Sequence, residues 1–304
     1  RVVRMTGRSD APLEGVVLDD VDPESIEPTE LRAALESERS LVRQRGARVC
    51  ATLAADDVDR VRPFVEDLGA VLHDENAGVV QTAASALQEI AAIDADAIAP
   101  IVDDLAALVG SDLPSIQLAG ARLLADVAEE RPADCVPVFG DLLAGLADPP
   151  VTAGDDSYAA HVEDRGTQEA IQQRERESQE YEQHARQLAS NVVIAAANAR
   201  PAAVTEHAET LADLAATDDI VVRSAALDVL GTLARESSET VRPYTAVAVA
   251  ALDAEASVVR ARAIRLFGFF GDEEYVEPLE RVAASDTDEE IATFAAETAS
   301  FLTR

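Results

Sequence analysis

VVRSAALDVLGTLA, residues 221–234, reads as one amphipathic helix, because its apolar residues fall at helical spacing on a single face. Similar stretches occur at residues 258–271 (VVRARAIRLFGFFG) and at residues 41–54 (LVRQRGARVCATLA). A helix that returns at a fixed interval cannot bury its apolar face alone, so each unit must pack against the next. This stretch therefore predicts a chain of stacked helical repeats.

The repeats share one register, which steps by 37 residues and contains a single step of 69. Its reference slot holds Arg43, Val80, Gln117, Arg186, Arg223 and Arg260. Three residues on, the slot is always small: Gly46, Ala83, Gly120, Ala189, Ala226 and Ala263. Seven residues on, the slot is always apolar: Cys50, Leu87, Leu124, Val193, Leu230 and Phe267. We expect the apolar slot to form the core and the small slot to let neighbouring helices approach closely.

A second helix is predicted after each first helix, because prolines recur in nearly the same register, about 37 residues apart outside the insertion, and proline is favoured in the first turn of a helix. The prolines are Pro63, Pro100, Pro137, Pro243 and Pro278. The predicted N-caps of first helices are Ser40, Asn76, Asp219 and Ser257. One further helix at each end would cover the apolar end of the stack.

The first-helix pattern VR-x-x-A(A)-x-x-L-x-x-LA, with a proline near the second helix, resembles the HEAT repeat, in its short Ala-rich phycobilisome-lyase-type form. The resemblance implies an all-α fold, a right-handed α-α superhelix (HEAT-like α-solenoid) of about six helix pairs with terminal capping helices. We expect an acidic, extended or loosely docked N-terminal segment at residues 1–27 and a single solenoid domain at residues 28–304.

The step of 69 residues predicts an insertion at about residues 150–185, which consists of a loop and the start of a helix of about 33 residues. The first half of this helix is polar nearly all round. It is either a protruding arm that binds a partner protein or a solvated extension without a partner. In the first alternative, the binding residues are Ile171, Arg174, Arg176 and Tyr181.

The composition is strongly acidic, with 58 Asp and Glu against 25 basic residues, all of them Arg, and a formal charge of −33. An apolar content of 48% is sufficient for a folded core. A negative field of this size disfavours nucleic acid and anionic membranes as partners. Acid excess without Lys resembles the cytoplasmic proteins of extreme halophiles (haloarchaea), in which molar salt screens the carboxylates.

The location is expected to be cytoplasmic, because no apolar run approaches the length of a membrane-spanning helix and no signal-peptide pattern opens the chain. Cys50 and Cys135 lie in different repeats and are expected to be free thiols. We expect a monomer or a weak homo-oligomer.

The motifs of common catalytic sites are missing from the sequence, which has no Walker-type Gly-Lys pair, GxGxxG, HExxH, GxSxG or CxxC. We therefore predict no enzyme activity, no cofactor and no metal. A metal site built from His161 and His184 is the alternative, although the chain departs from the His-Glu pattern of HEAT-like iron hydroxylases. The acidic loop at residues 286–290 lacks the glycine of a calcium loop and is expected to be a hydrated surface.

Carboxylates recur near the start of the early second helices. The slot four residues after the proline holds Asp67, Asp104 and Asp141, and the slot before it holds Glu66 and Asp103. In HEAT-like folds the second helices line the concave side. The face is therefore either a solvated acidic surface or a groove for a basic partner segment. HEAT-like DNA glycosylases use a basic surface there, which this chain does not have.

The sequence contains two arginine clusters and one apolar segment whose packing partners lie elsewhere in the chain. Two clusters of arginines are expected to pair with acidic residues of adjacent repeats: Arg43, Arg45 and Arg48, and Arg260, Arg262 and Arg265. Residues 244–252 are apolar on all sides, so they are either buried by neighbouring helices or exposed as a hydrophobic strip.

These features predict a non-enzymatic scaffold or adaptor that binds other proteins through the acidic face and the inserted helix. Haloarchaeal HEAT-like proteins that resemble the chain include adaptors linked to taxis signalling and motility. The alternative is an accessory lyase-like or other enzyme-associated HEAT-like protein. Nucleic-acid binding is a third class, which would need a basic face.

Overall fold

The computed structural model describes residues 11–18, 22–148 and 164–304, and within these ranges it contains helices and no β-strand. The all-α prediction is therefore confirmed. No helix in the described ranges has both the length and the hydropathy needed to cross a bilayer. Residues 1–10 and 19–21 of the predicted N-terminal segment lie outside the described residues, as do residues 149–163, which include the start of the predicted insertion.

The chain divides into two compact units, Arg1–Leu108 and Val109–Arg304. The single domain at residues 28–304 stays a prediction. The helices of the first unit are α1 Pro28–Leu35, α2 Ser40–Asp56, α3 Val65–Val71, α4 Ala77–Ala91 and α5 Val102–Val109, whose last residue belongs to the second unit. Helix α2 packs against α4, and α1 contacts both α2 and α3, as a capping helix should.

The second unit contains ten helices within the described residues. They are α6 Pro114–Glu130, α7 Phe139–Ala147, α8 Arg165–Ala199, α9 Ala208–Ala215, α10 Ile220–Glu236, α11 Ser238–Val241, α12 Thr245–Ala251, α13 Ser257–Phe270, α14 Val276–Ser285 and α15 Glu289–Leu302. The first helices of the repeats pack in order, α6 on α8, α8 on α10, α10 on α13 and α13 on α15. Among the second helices, α9 contacts α7 of the preceding repeat and α12 of the following repeat. Across the two units the described helices form the six predicted pairs, and α1, α15 and the four-residue α11 lie outside them.

The predicted core slots are buried. Leu230 is 1% exposed, and the other residues seven positions after the reference slot are 0 or 1% exposed. The small slot is also buried, and a Cβ atom on Gly46 would lie 3.0 Å from Leu35 Cδ2. The register read from the sequence therefore identifies both the core and a point where α1 and α2 approach closely.

Four of the five second helices that a proline marks begin later than predicted. Pro63, Pro100 and Pro243 lie in short 3-10 turns, and the α-helix starts two residues after each of them. Pro137 also precedes its helix by two residues, whereas Pro278 lies in the first turn of α14. Proline fixes φ near −65° and lacks an N–H, so it fits a tight turn as well as the first turn of a helix.

The N-cap predictions are half correct. Asn76 accepts a hydrogen bond from Gly78 N at 2.9 Å, and Asp219 accepts bonds from the next helical turn, as N-caps do. Ser40 and Ser257 are instead the first residues of α2 and α13 and make no cap bond with their side chains. The reason is that both helices start one residue earlier than predicted, so each hydroxyl lies past the cap position.

Residues 11–18, which belong to the predicted leader, are part of the first unit and pack against its helices rather than docking loosely. Leu13 is fully buried and has a φ of 61°. Its N–H donates to Glu30 Oε1 at 2.8 Å, and its carbonyl oxygen accepts from Arg45 Nη1 at 2.8 Å. The partners of Arg45 are thus carbonyl oxygens rather than the acidic side chains that were predicted.

Candidate functional site

The predicted acidic residues of the first unit lie at matching positions on two second helices. Glu66 and Asp67 are in the first turn of α3, and Asp103 and Asp104 are in the first turn of α5. The first residue of each pair is exposed and the second is half-buried. Carboxylates are favourable in a first helical turn because the helix dipole is positive there. We call these four residues the acidic face of the first unit.

Asp67 is paired with a residue of another helix. Arg32 of α1 donates from Nε to Asp67 Oδ2 at 3.0 Å and from Nη2 to the Pro63 carbonyl oxygen at 3.2 Å. The guanidinium also lies over the Phe64 ring, 5.2 Å from its centre. These contacts balance the charge of Asp67, so the exposed Glu66 is the carboxylate of α3 that remains available to a partner.

Asp104 is also engaged, by His73, whose Nε2 lies 2.8 Å from Asp104 Oδ1. Helix α3 comes close to the same carboxylate, because a Cβ atom on Gly69 would lie only 2.6 Å from Asp104 Oδ2. Asp103 is exposed and makes no ion pair within the described part of the chain. On α5, as on α3, one carboxylate is held within the fold and its neighbour faces solvent.

The fifth predicted residue, Asp141, belongs to the second unit. It lies in the first turn of α7 and is exposed. The preceding residue, Gly140, faces the ring of His207, which packs on Phe139 with a centroid distance of 5.3 Å. Asp141 therefore extends from a packed surface of the second unit.

The inserted helix is a single helix, as predicted. Helix α8 has 35 residues and is about 50 Å long at 1.5 Å per residue. Asp164 caps it by accepting a hydrogen bond from Thr167 N at 2.8 Å, and the bonds from Thr167 lower the pKa of this carboxyl. Its second half carries buried repeat positions such as Ala189 and Val193, whereas most of its first half is exposed.

The four predicted binding residues of α8 do not share one face. Arg174 comes three residues after Ile171, and Tyr181 comes seven residues after Arg174, so these three lie on one side of the helix. Arg176 lies on another side. Tyr181 is 41% exposed and Ile171 is half-buried. The structure thus brings three of the four residues together.

Three arginines of the reference slot make one repeated contact, which we call the arginine clamp. Each donates to a carbonyl oxygen at the end of the preceding helix or loop and to an Asp of the next inter-helix loop. The three sets are Arg43 with Ser37 and Asp74, Arg186 with Leu146 and Asp219, and Arg260 with Ala254 and Asp286. Arg43 and Arg260 therefore pair as predicted. The bonds from these two arginines lower the pKa values of Asp74 and Asp286.

Sequence reasoning missed Asp228, which is buried on α10 at 9% exposure. Arg262 and Arg265 of α13 both pair with it, Arg262 through Nη1 at 3.1 Å from Asp228 Oδ2. This confirms the prediction that these arginines pair with an adjacent repeat. Nothing local distinguishes Asp228 from the solvent-exposed acids, because its partners come from a helix about 35 residues away.

Helix α12 resolves the question left open by residues 244–252. Ala248, Ala251 and Leu252 are buried, whereas Ala246 and Ala250 are exposed and Val249 is 37% exposed. Complete burial of this segment is therefore wrong, because one face of the helix is buried and the other presents exposed apolar residues.

The acidic segment at residues 286–290 is the predicted hydrated surface only in part, because Glu289 and Glu290 are exposed whereas two other carboxylates are engaged within the fold. Asp286 is taken up by Arg260, and Asp288 caps α15 by accepting a bond from Glu290 N at 3.0 Å. His184 is exposed on α8, and His161 lies outside the described residues. Within the described ranges, no three His, Cys, Asp or Glu side chains cluster so as to hold a metal ion.

The thiols are both free, as predicted, and the structure shows that both are buried. Burial raises the pKa of Cys50 to about 12 and that of Cys135 to about 11. A thiol is a nucleophile only as its thiolate, so neither cysteine is suited to catalysis.

Comparison with known proteins places these features in a family. The family described as "Adaptin N terminal region" matches residues 24–280. No curated protein sequence matches the chain.

Among solved structures, an archaeal HEAT-like repeats protein from Thermococcus onnurineus NA1 is 11% identical, with a TM-score of 0.52 over 91% of this chain and 97% of that one. A computationally designed armadillo repeat protein for modular peptide recognition is 14% identical, with a TM-score of 0.37 over 91% of this chain and 99% of that one. At such identities the archaeal structure supports the fold alone. The HEAT-like repeat class is confirmed.

Proposed function

The chain belongs to the adaptin N-terminal region family, whose helical-repeat fold is typical of protein-interaction scaffolds, and we propose that it is a non-enzymatic scaffold for a basic partner protein. The observation that carries the proposal is the acidic face of the first unit. Each of its helices has one carboxylate held within the fold and one, Glu66 or Asp103, turned to solvent. The second unit has its own set of proposed binding residues, which are Asp141 on α7 and Ile171, Arg174 and Tyr181 on α8.

Electrostatic complementarity supports a basic partner. Exposed carboxylates on a chain with a formal charge of −33 attract cationic segments and repel phosphate backbones. Exposed charge pairs contribute mostly to association rate and specificity, so affinity also requires apolar contacts.

A pull-down from the native extract at native salt tests the proposal. The Glu66→Gln, Asp103→Asn double variant should recover less of the bound partner than the unmodified protein. The control is the Asp56→Asn, Glu89→Gln double variant, which removes the same charge from exposed positions of the first helices α2 and α4. Equal recovery with both variants would contradict a role for the acidic face.

A narrower form of the proposal assigns the protein to the cytoplasm of an extreme halophile, as an adaptor in taxis or motility signalling. Its support is the absence of Lys among 25 basic residues, the acid excess and the resemblance stated above. Circular dichroism at about 0.01 M and about 1 M salt tests the halophile part, because the Debye length falls from about 30 Å to about 3 Å. Full helix content at low salt would contradict it. Recovered partners without a taxis or motility protein would contradict the signalling role.

A further inference from the structure

The inserted helix forms one wall of a groove in the second unit. Helix α8 starts 18 residues before Gln183, the position that corresponds to the first residue of α10, so it extends past the beginning of α10. The open space between them has a volume of about 660 Å³. Its lining includes Glu180, Gln183, His184, Asp218, Ile220 and Val221. We call this space the α8–α10 groove.

Ile220 is the unusual residue of the groove. It is the first residue of α10 and is 52% exposed. The first residues of four other first helices are small or polar, or proline: Ser40, Ala77, Pro114 and Ser257. More than half of this isoleucine lies outside the core of the repeat. At this slot of the register a large apolar residue occurs only on α10, where α8 lines the facing wall, although Leu41 and Val258 are exposed one position further along α2 and α13.

Of the three described carboxylates around Ile220, one is hydrogen-bonded within the fold and two face solvent. Asp219 accepts bonds from Arg186 Nε at 2.7 Å and from two backbone N–H groups of α10. Glu180 and Asp218 are exposed and make no hydrogen bond or ion pair within the described part of the chain. Two available carboxylates therefore flank an exposed apolar side chain.

We propose that the α8–α10 groove binds a basic amphipathic segment of the partner protein, with an apolar side chain on Ile220 and Arg or Lys beside Glu180 and Asp218. The proposal rests on the scaffold function and names a second contact, separate from the acidic face. Charge complementarity selects the occupant, because an acidic segment would meet like charges on both walls.

Fluorescence anisotropy with a labelled synthetic peptide tests the site in the full chain. The probe has about 18 residues, long enough for a helix, with Leu on one face and Arg on the other. Ile220→Ser should weaken its binding at least about tenfold, because an apolar contact is lost. Asp218→Asn should weaken binding about two- to fivefold. Near 1 M salt the effect of Asp218→Asn should shrink, because screening acts on the charge contact, whereas the effect of Ile220→Ser should persist.

The matched control is Val258→Ser, which removes an exposed apolar residue near the start of α13, and it should leave the affinity unchanged. Affinities of Ile220→Ser and Val258→Ser within twofold of the unmodified protein would overturn the proposal. Equal binding of a peptide with Glu in place of Arg would also overturn it.

A photo-crosslinker at position 220 identifies the natural occupant in extract. Cross-links to a basic segment of another protein support the proposal, whereas cross-links to a second copy or to residues 149–163 of the same chain overturn it. If Ile220→Ser has no effect and the Glu66→Gln, Asp103→Asn variant still loses its partner, the groove proposal fails alone. If neither variant loses the partner, the scaffold proposal fails as well.

Discussion

Arg260 donates two hydrogen bonds to the carboxylate of Asp286, from Nε to Oδ2 at 2.7 Å and from Nη2 to Oδ1 at 2.9 Å. The same guanidinium donates to the carbonyl oxygens of Ala254 and Glu255, so one side chain joins the loop before α13 to the loop after α14. The Asp286 side chain is 5% exposed. Hydrogen bonds with charged partners in such surroundings are stronger than neutral ones.

Asp286→Asn should lower the free energy of unfolding by about 1 to 3 kcal/mol at pH 7, because a charge-assisted contact is lost. The pKa of Asp286 is lowered in the folded protein, first by its hydrogen bond with Arg260. Its stabilisation is therefore present above the ordinary value of 3.8 and is lost as the pH falls through the lowered value. Denaturant unfolding at pH 7 and pH 3 should show the difference between variant and unmodified protein shrinking in acid. An equal difference at both pH values would contradict the ion pair.

Leu230→Ala should lower the free energy of unfolding by about 2 to 5 kcal/mol, because Leu230 is 1% exposed and its removal leaves a cavity. Chemical denaturation followed by circular dichroism measures the change. Val258→Ala, at a residue that is 42% exposed on α13, should change stability by less than about 0.5 kcal/mol. Equal effects of the two substitutions would show that the repeat register is wrong.

Gly69→Ala should destabilise the first unit, although alanine is the better helix former by about 1 kcal/mol. Its Cβ would lie 2.6 Å from Asp104 Oδ2 and 3.0 Å from Ile101 Cγ2, so α3 and α5 would have to separate or repack. The control is Gly145→Ala in α7, where the nearest contact, with Val109 Cγ1, is an ordinary 3.4 Å. Thermal melts should show a lower Tm for the first variant and an unchanged or higher Tm for the second. A higher Tm for Gly69→Ala would contradict the close approach.

Cys50 and Cys135 should both resist a thiol reagent in the folded protein at pH 8 and react fully once it is unfolded. Both thiols are fully buried, and burial raises their pKa values to about 12 and about 11. At pH 8 the thiolate fraction of either cysteine is then negligible. Absorbance of the released reagent product counts the reacted thiols with and without denaturant. Rapid reaction of one thiol in the folded protein would show that its repeat opens.

The repeat class, the helix pairs and the core slots followed from the sequence, because a spacing of 37 residues with apolar positions seven after Arg223 and its counterparts is a local and repeated signal. The length of α8 followed for the same reason, since no proline or glycine interrupts it after Gly166. The N-caps at Ser40 and Ser257 did not follow, because a shift of one residue moves a side chain past the cap position.

Only the tertiary structure decided which charges are used within the fold and which face solvent. Asp104 and Asp103 are adjacent in sequence, yet His73, 31 residues away from Asp104, engages one and leaves the other exposed. Asp228, Asp286 and Ile220 likewise acquire their roles from helices and loops that are distant in sequence. A sequence repeat specifies which faces must be buried, since burial depends on local periodicity. The partner of a charge depends on where other helices place their side chains, and a single local stretch does not contain that information.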